Sequence, residues 1–135
     1  MANYLLAGDG QFGFQVVGES HYQSDLAKIA GGITDEGVHF ECAALLRLEP
    51  TNKYDPNAVE VLIDGLRVGY IPAVQAPEMC ALFHSVGISE VECKAVIQGG
   101  WDRGEGDTGE FGVRLNIVRP FAFAEDTRPP VDRAC

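Results

Sequence analysis

The most chemically crowded stretch of the chain covers residues 49–59, where Asn52, Tyr54, Asp55 and Asn57 stand among Pro50 and Pro56 between two apolar segments. Two prolines together with Asn and Asp exclude a central strand or a helix interior, so a shaped loop is expected whose side chains converge. Tyr54 offers a flat ring on which a nucleotide base can stack, an interaction worth about 1–3 kcal/mol per base. Asp55, the next residue, accepts a hydrogen bond from a sugar hydroxyl and repels a phosphate at the same place. Together they would select an end bearing a free hydroxyl over a phosphorylated one. Asn52 and Asn57 either bond a base edge or brace their own turn, the second role suiting Asn57 because it precedes a strand. The same residue types also build turns that only reverse the chain. His21-Tyr22, at a strand-to-helix junction, supplies a second aromatic site: either ring could stack on the base held by Tyr54. Otherwise the tyrosine packs over the end of the core and the histidine stays solvated.

Patterns that would indicate catalysis are missing. His21, His39 and His84 are scattered, and neither a His-Glu-x-x-His nor a Cys-x-x-Cys pair occurs. There is no Gly-x-Ser-x-Gly elbow, and the glycine-rich residues 99–109 do not end in Gly-Lys-Ser/Thr. No catalytic residue, metal or cofactor is therefore expected; the enzymatic alternative is a metal-dependent nuclease using Asp55 with Asp102 or Asp107. Cys42, Cys80, Cys93 and Cys135 are too widely spaced for a metal site or a disulfide framework, which implies reduced thiols in a cytoplasm. The first residues lack a basic segment and a long apolar run, so neither a secretion signal nor a membrane span is expected. The net charge of -10 is unusual for a nucleic-acid binder, because neutralising phosphates supplies most non-specific affinity. Either the protein binds no nucleic acid, or it binds a short feature through a local pocket.

The elements that would hold these residues follow from alternation and turn chemistry. Residues 12–18 alternate as a first strand, and Ser24 suits the N-cap of a short helix ending before Gly31-Gly32. Residues 38–48 form a long strand with Phe40, Cys42, Ala44, Leu46 and Leu48 on one face and Arg47 on the other. Residues 59–63 place Val59, Val61 and Ile63 inward, with Glu60 opposed to them, and Asp64-Gly65 turns the chain into a return strand over residues 67–71. A second helix spans residues 76–84, with Pro77 in its first turn. Two more strands, 91–98 and 111–118, flank a flexible loop at residues 99–109 that holds the single tryptophan. The expected fold is mainly β, a small OB-like β-barrel of about six strands with two short helices. A flexible N-terminus at residues 1–11, one domain over 12–118 and a partly ordered tail over 119–135 complete the organisation.

The run Glu49-Pro50-x-Asn52-x-Tyr54-Asp55-x-Asn57-Ala58-Val59, preceded by Val16-Val17-Gly18 and followed by Val68-Gly69-Tyr70-Ile71, resembles the HIRAN domain family over residues 12–118. The resemblance implies an OB-like barrel, found both in Swi/Snf-type DNA translocases and as small stand-alone bacterial proteins. In the translocases it captures the free 3′-hydroxyl end of single-stranded DNA at remodelled forks. It further implies that Tyr54 and the aromatic site at His21 hold the terminal base, Asp55 takes the hydroxyl and Asn52 assists at the base. Tyr70 falls where the family can place a phosphate-contacting histidine. Ser20 and Ala73 replace basic residues of the DNA-binding relative, which thins the phosphate clamp and leaves Lys53, Arg67 or Arg103 to compensate. The leading expectation is a cytoplasmic module for single-stranded DNA 3′-hydroxyl ends in repair or fork processing, alongside a helicase or nuclease partner. The competing expectation is an acidic protein-interaction module without DNA binding.

Overall fold

The computed structural model describes residues 4–124. Six antiparallel strands form one curled sheet in the order β1-β6-β5-β2-β3-β4: β1 Phe14–Gln15, β2 Val38–Leu48, β3 Val59–Ile63, β4 Leu66–Tyr70, β5 Glu90–Asp102 and β6 Thr108–Leu115. Helices α1 (Gln23–Ala30) and α2 (Ala76–Ser85) accompany it, as expected of a small OB-like half-barrel. The alternating residues face one core: Leu46, Val59, Val61, Ile97, Val113 and Leu115 are fully buried, as are Leu26 of α1 and Met79 and Phe83 of α2. Removing these side chains from water is the main drive for curling the sheet.

The two edges of the sheet meet at Val16-Val17. Val16 donates its backbone N–H to Val113 of β6, while Val17 exchanges both backbone hydrogen bonds with Tyr70 of β4, at 2.9 and 3.0 Å. Gly69 makes this contact possible, because a Cβ there would lie 2.4 Å from Val16 Cγ1 and 2.7 Å from the Val17 carbonyl oxygen. Beyond the short β1, side chains take the place of a neighbouring strand along β6. Glu19 accepts from Val113 N–H, and the Gln23 amide both donates to and accepts from the Phe111 backbone. Otherwise unpaired edge groups are thereby satisfied.

Several boundaries differ from the sequence reading. A single 3-10 turn over Glu19–His21 leads directly into α1, so Ser24 lies inside the first turn rather than capping it. Residues 99–102 belong to β5 and residues 108–110 to β6, which reduces the expected loop to residues 103–107. The glycines there serve ring packing: the Trp101 ring lies against Gly109, and the Phe111 ring against Gly100. Leu5, Leu6 and Ala7, within the expected flexible start, are joined to Glu92, Phe123 and Ala122. Phe121 packs edge-on against Phe14, while residues 125–135 of the expected tail lie outside the described residues. No helix among the described residues is long and apolar enough to cross a membrane.

Replacing Gly69 by Ala should force Val16 and Val17 away from β4 and cost about 1–3 kcal/mol in denaturant unfolding. Amide exchange at Val17 and Tyr70 should accelerate more than in the rest of the sheet. Gly112→Ala, whose Cβ would meet only Glu19 Oε2 at 3.7 Å, is the control expected to change stability little.

Candidate functional site

The loop between β2 and β3 is built by its own polar side chains. Asn52 Oδ1 accepts from the backbone N–H groups of Tyr54 and Asp55 at 2.9 and 3.0 Å, and its Nδ2 donates to Glu49 Oε1 at 2.9 Å. Asp55 Oδ1 accepts from Asn57 N–H at 2.9 Å, which starts the return into β3. Both ends of the Asn52 amide are thus engaged in bracing the loop. The consequence is an outward Tyr54, which is 86% exposed.

Beneath the loop lies an ionic network on the outer face of β2, β3 and β4. Arg47, Glu60 and Tyr70 are cross-strand neighbours in register. Strict alternation would put Arg67 and Tyr70, three residues apart, on opposite faces of β4. A bulge prevents this: Val61 pairs with Gly69 and Leu62 with Arg67, so Val68 is an extra residue and the two side chains share one face. Glu60, only 4% exposed, receives Arg47 Nε at 2.8 Å and Arg67 Nε at 3.0 Å. Arg67 also reaches Glu49 Oε2 through Nη2 at 3.0 Å, and the Tyr70 hydroxyl donates to Glu49 Oε1 at 2.8 Å. Alternation along β3 sets Glu60 opposite the inward row, and it does lie outside the barrel, where Arg47 and Arg67 cover it.

These contacts fix protonation states. The hydrogen bond from Asn52, with those from Tyr70 and the nearby arginines, holds Glu49 below the usual glutamate range against the effect of partial burial. Hydrogen bonding to Tyr22, followed by that to Glu60, holds Arg67 firmly charged. Partial burial and the Glu49 carboxylate push the Tyr70 phenol up to about 12.

A hollow of about 420 Å³ opens above the network. Three phenols, Tyr22, Tyr54 and Tyr70, line it together with Lys53, Arg67 and Asn52. The Lys53 ammonium sits 5.4 Å from the Tyr54 ring centre, and the Arg67 guanidinium 5.5 Å from that of Tyr70. Of the expected residues, Tyr22, Asn52, Tyr54 and Tyr70 are brought together here. His21 is exposed and stands edge-on to Tyr22 with 6.4 Å between ring centres, outside the lining, and Asp55 is likewise off the lining although adjacent to Tyr54. Glu49 and Arg67 of the network also line the hollow. Arg103 is elsewhere, stacked 5.1 Å from the Trp101 ring centre and donating to the Asp35 carbonyl. Asp107 engages Trp101 and Arg103 on that same hairpin. Among the described residues no group of three or more His, Cys, Asp or Glu side chains is placed to hold a metal ion.

A curled half-barrel with an aromatic, cation-bearing hollow at the loop between its second and third strands is a small binding module in form. The HIRAN domain family model matches residues 9–99, more than half of the chain, and the protein belongs to that family of nucleic-acid-binding modules. No curated protein and no solved structure matches the chain.

The raised Tyr70 pKa generates a prediction at alkaline pH. The folded state favours the neutral phenol, so this stabilisation is fully present below pH 10.0, the ordinary tyrosine value, and is lost as pH rises through about 12. Absorbance titration should show a tyrosinate component appearing only near 12. Tyr70→Phe should remove that component; its persistence in the variant would contradict the assignment.

Proposed function

We propose that the rim hollow binds the 3′-hydroxyl end of single-stranded DNA without turning it over. The observation that carries this reading is the Tyr54 ring, held out by a braced loop at 86% exposure, facing a hollow with two further phenols in a family of nucleic-acid-binding modules. In this reading Tyr54 stacks on the terminal base and Tyr22 shares the hollow with it, while His21, edge-on to Tyr22, extends the aromatic surface past the lining. Asp55 accepts the hydrogen bond of the terminal hydroxyl through the oxygen not engaged by Asn57. Asn52 acts through the loop it braces, and Tyr70 lies beside the first phosphate.

Electrostatics sets the strength. Arg67 is shared by two carboxylates, so Lys53 is the one cation on the lining with no ion-pair partner among the described residues. A single phosphate contact gives a weak, shallowly salt-dependent complex. Such a module suits delivery of an end to a helicase or nuclease partner in the cytoplasm during repair or fork processing, where the partner supplies the remaining affinity.

Anisotropy with a labelled oligonucleotide tests the reading. A 3′-hydroxyl strand should bind more tightly than its 3′-phosphorylated counterpart, with a log–log salt slope of about -0.7, that of one phosphate on a single strand, rather than the steeper slopes of multi-phosphate binders. Tyr54→Ala should weaken binding by about 1–3 kcal/mol. Asp55→Ala should abolish the discrimination between the two ends. Absence of binding even at low salt would favour an acidic protein-interaction module, and metal-dependent cleavage of the strand would favour the nuclease.

A further inference from the structure

A second hollow, of about 400 Å³, lies between α1 and the β5–β6 hairpin. Its apolar lining comes from Ala27, Ile33, Trp101 and Phe111, and Ile33 is 62% exposed at its mouth. Asp102 and Glu110 stand on the same lining, and no lysine or arginine does. Around it, residues 102–110 also carry Glu105 and Asp107, while Asp35 and Glu36 follow Ile33 in sequence. The neighbouring Arg103 is already committed to Asp107 at 3.6 Å and to the Asp35 carbonyl. This balance is opposite to that of the rim hollow, whose lining has Lys53 and Arg67 against Glu49. The hairpin also lies mostly beyond residues 9–99, so the family match does not account for it.

We infer that this groove docks a basic peptide segment, one apolar side chain entering against Trp101, Ile33 and Phe111 while flanking lysines or arginines face Asp102 and Glu110. Charge decides the chemistry of the occupant. A nucleic-acid strand would bring its phosphates against two carboxylates with no cation on the lining, whereas a basic segment gains from both charges and from the net -10 of the whole chain. The apolar volume is suited to an anchor of one or two side chains, which makes the contact a weak, transient one. The groove shares no lining residue with the rim hollow, although Gln23 and Ser24 of the groove follow Tyr22 of the rim directly in the chain.

Trp101 is the chain's single tryptophan, which makes it a local reporter. The test titrates the full chain with a synthetic tryptophan-free peptide of alternating lysine and leucine, and with the matching glutamate–leucine peptide, following Trp101 emission. The lysine peptide should shift and saturate the emission, weaken with added salt, and lose about tenfold in affinity in D102N/E110Q, variants that keep hydrogen-bonding side chains. Ile33→Ser, at an exposed position, should weaken it without altering the charge. Tyr54→Ala should leave it unchanged. Equal response to the glutamate peptide, or insensitivity to both groove variants, would overturn the inference. A Trp101 change that grows with protein concentration alone would instead seat a second copy of the chain in the groove. Saturation by an oligonucleotide with the same groove dependence would make it a nucleic-acid site; either result also overturns the proposal.

Discussion

Burial of the Glu60 carboxylate between Arg47 and Arg67 is the constraint on which the rim depends. A nearly buried carboxylate loses its hydration, and only well-placed cations make its retention tolerable. Arg47 comes from the neighbouring strand in register, but Arg67 arrives on the same face only because Val68 is bulged. That guanidinium then reaches Glu49, and Glu49 in turn holds both the Tyr70 hydroxyl and the Asn52 amide. The loop carrying Tyr54 is therefore anchored to the sheet through a chain of charge-assisted hydrogen bonds rather than through apolar packing.

This arrangement explains how a strongly acidic protein presents an aromatic surface at its rim. The arginines that would otherwise advertise a basic face are turned inward to serve Glu60 and Glu49, and the positive charge left to the hollow is Lys53. What remains outward is ring surface: Tyr54 wholly, Tyr22 in part. Binding that relies on stacking and on one hydroxyl is consistent with a net charge that discourages extended contact with a phosphate backbone. The hairpin groove shows the complementary arrangement, apolar surface framed by carboxylates, so the two hollows differ in the charge that surrounds them.

Much of the fold was legible because it rests on alternation and turn chemistry. β2 and β3 coincide with the alternating runs over 38–48 and 59–63, and the Asp64-Gly65 turn has the two positive φ angles, 54° and 76°, that those residues permit. The loop at residues 49–59 was legible as shaped, since its prolines and Asx residues allow little else. Glu60 was less so, because alternation correctly assigns it to the outer face but does not reveal that two arginines bury it there. The bulge at Val68 was invisible, and with it the convergence of Arg67 and Tyr70; Gly69 was the local hint that the strand was not regular. Residues 99–109 misled for a related reason. Their glycines suggested mobility, whereas two of them make room for the Trp101 and Phe111 rings across the hairpin.

If the rim, rather than the sheet or the hairpin, receives the DNA end, the backbone amides there will report it. Amide chemical-shift mapping of isotope-labelled protein with a short 3′-hydroxyl oligonucleotide addresses it directly. Perturbations should be confined to His21, Tyr22, the loop around Lys53, Tyr54 and Asp55, and the Arg67 to Tyr70 strand. Perturbations centred on Trp101 and Phe111 with a silent rim, or none at all, would contradict it.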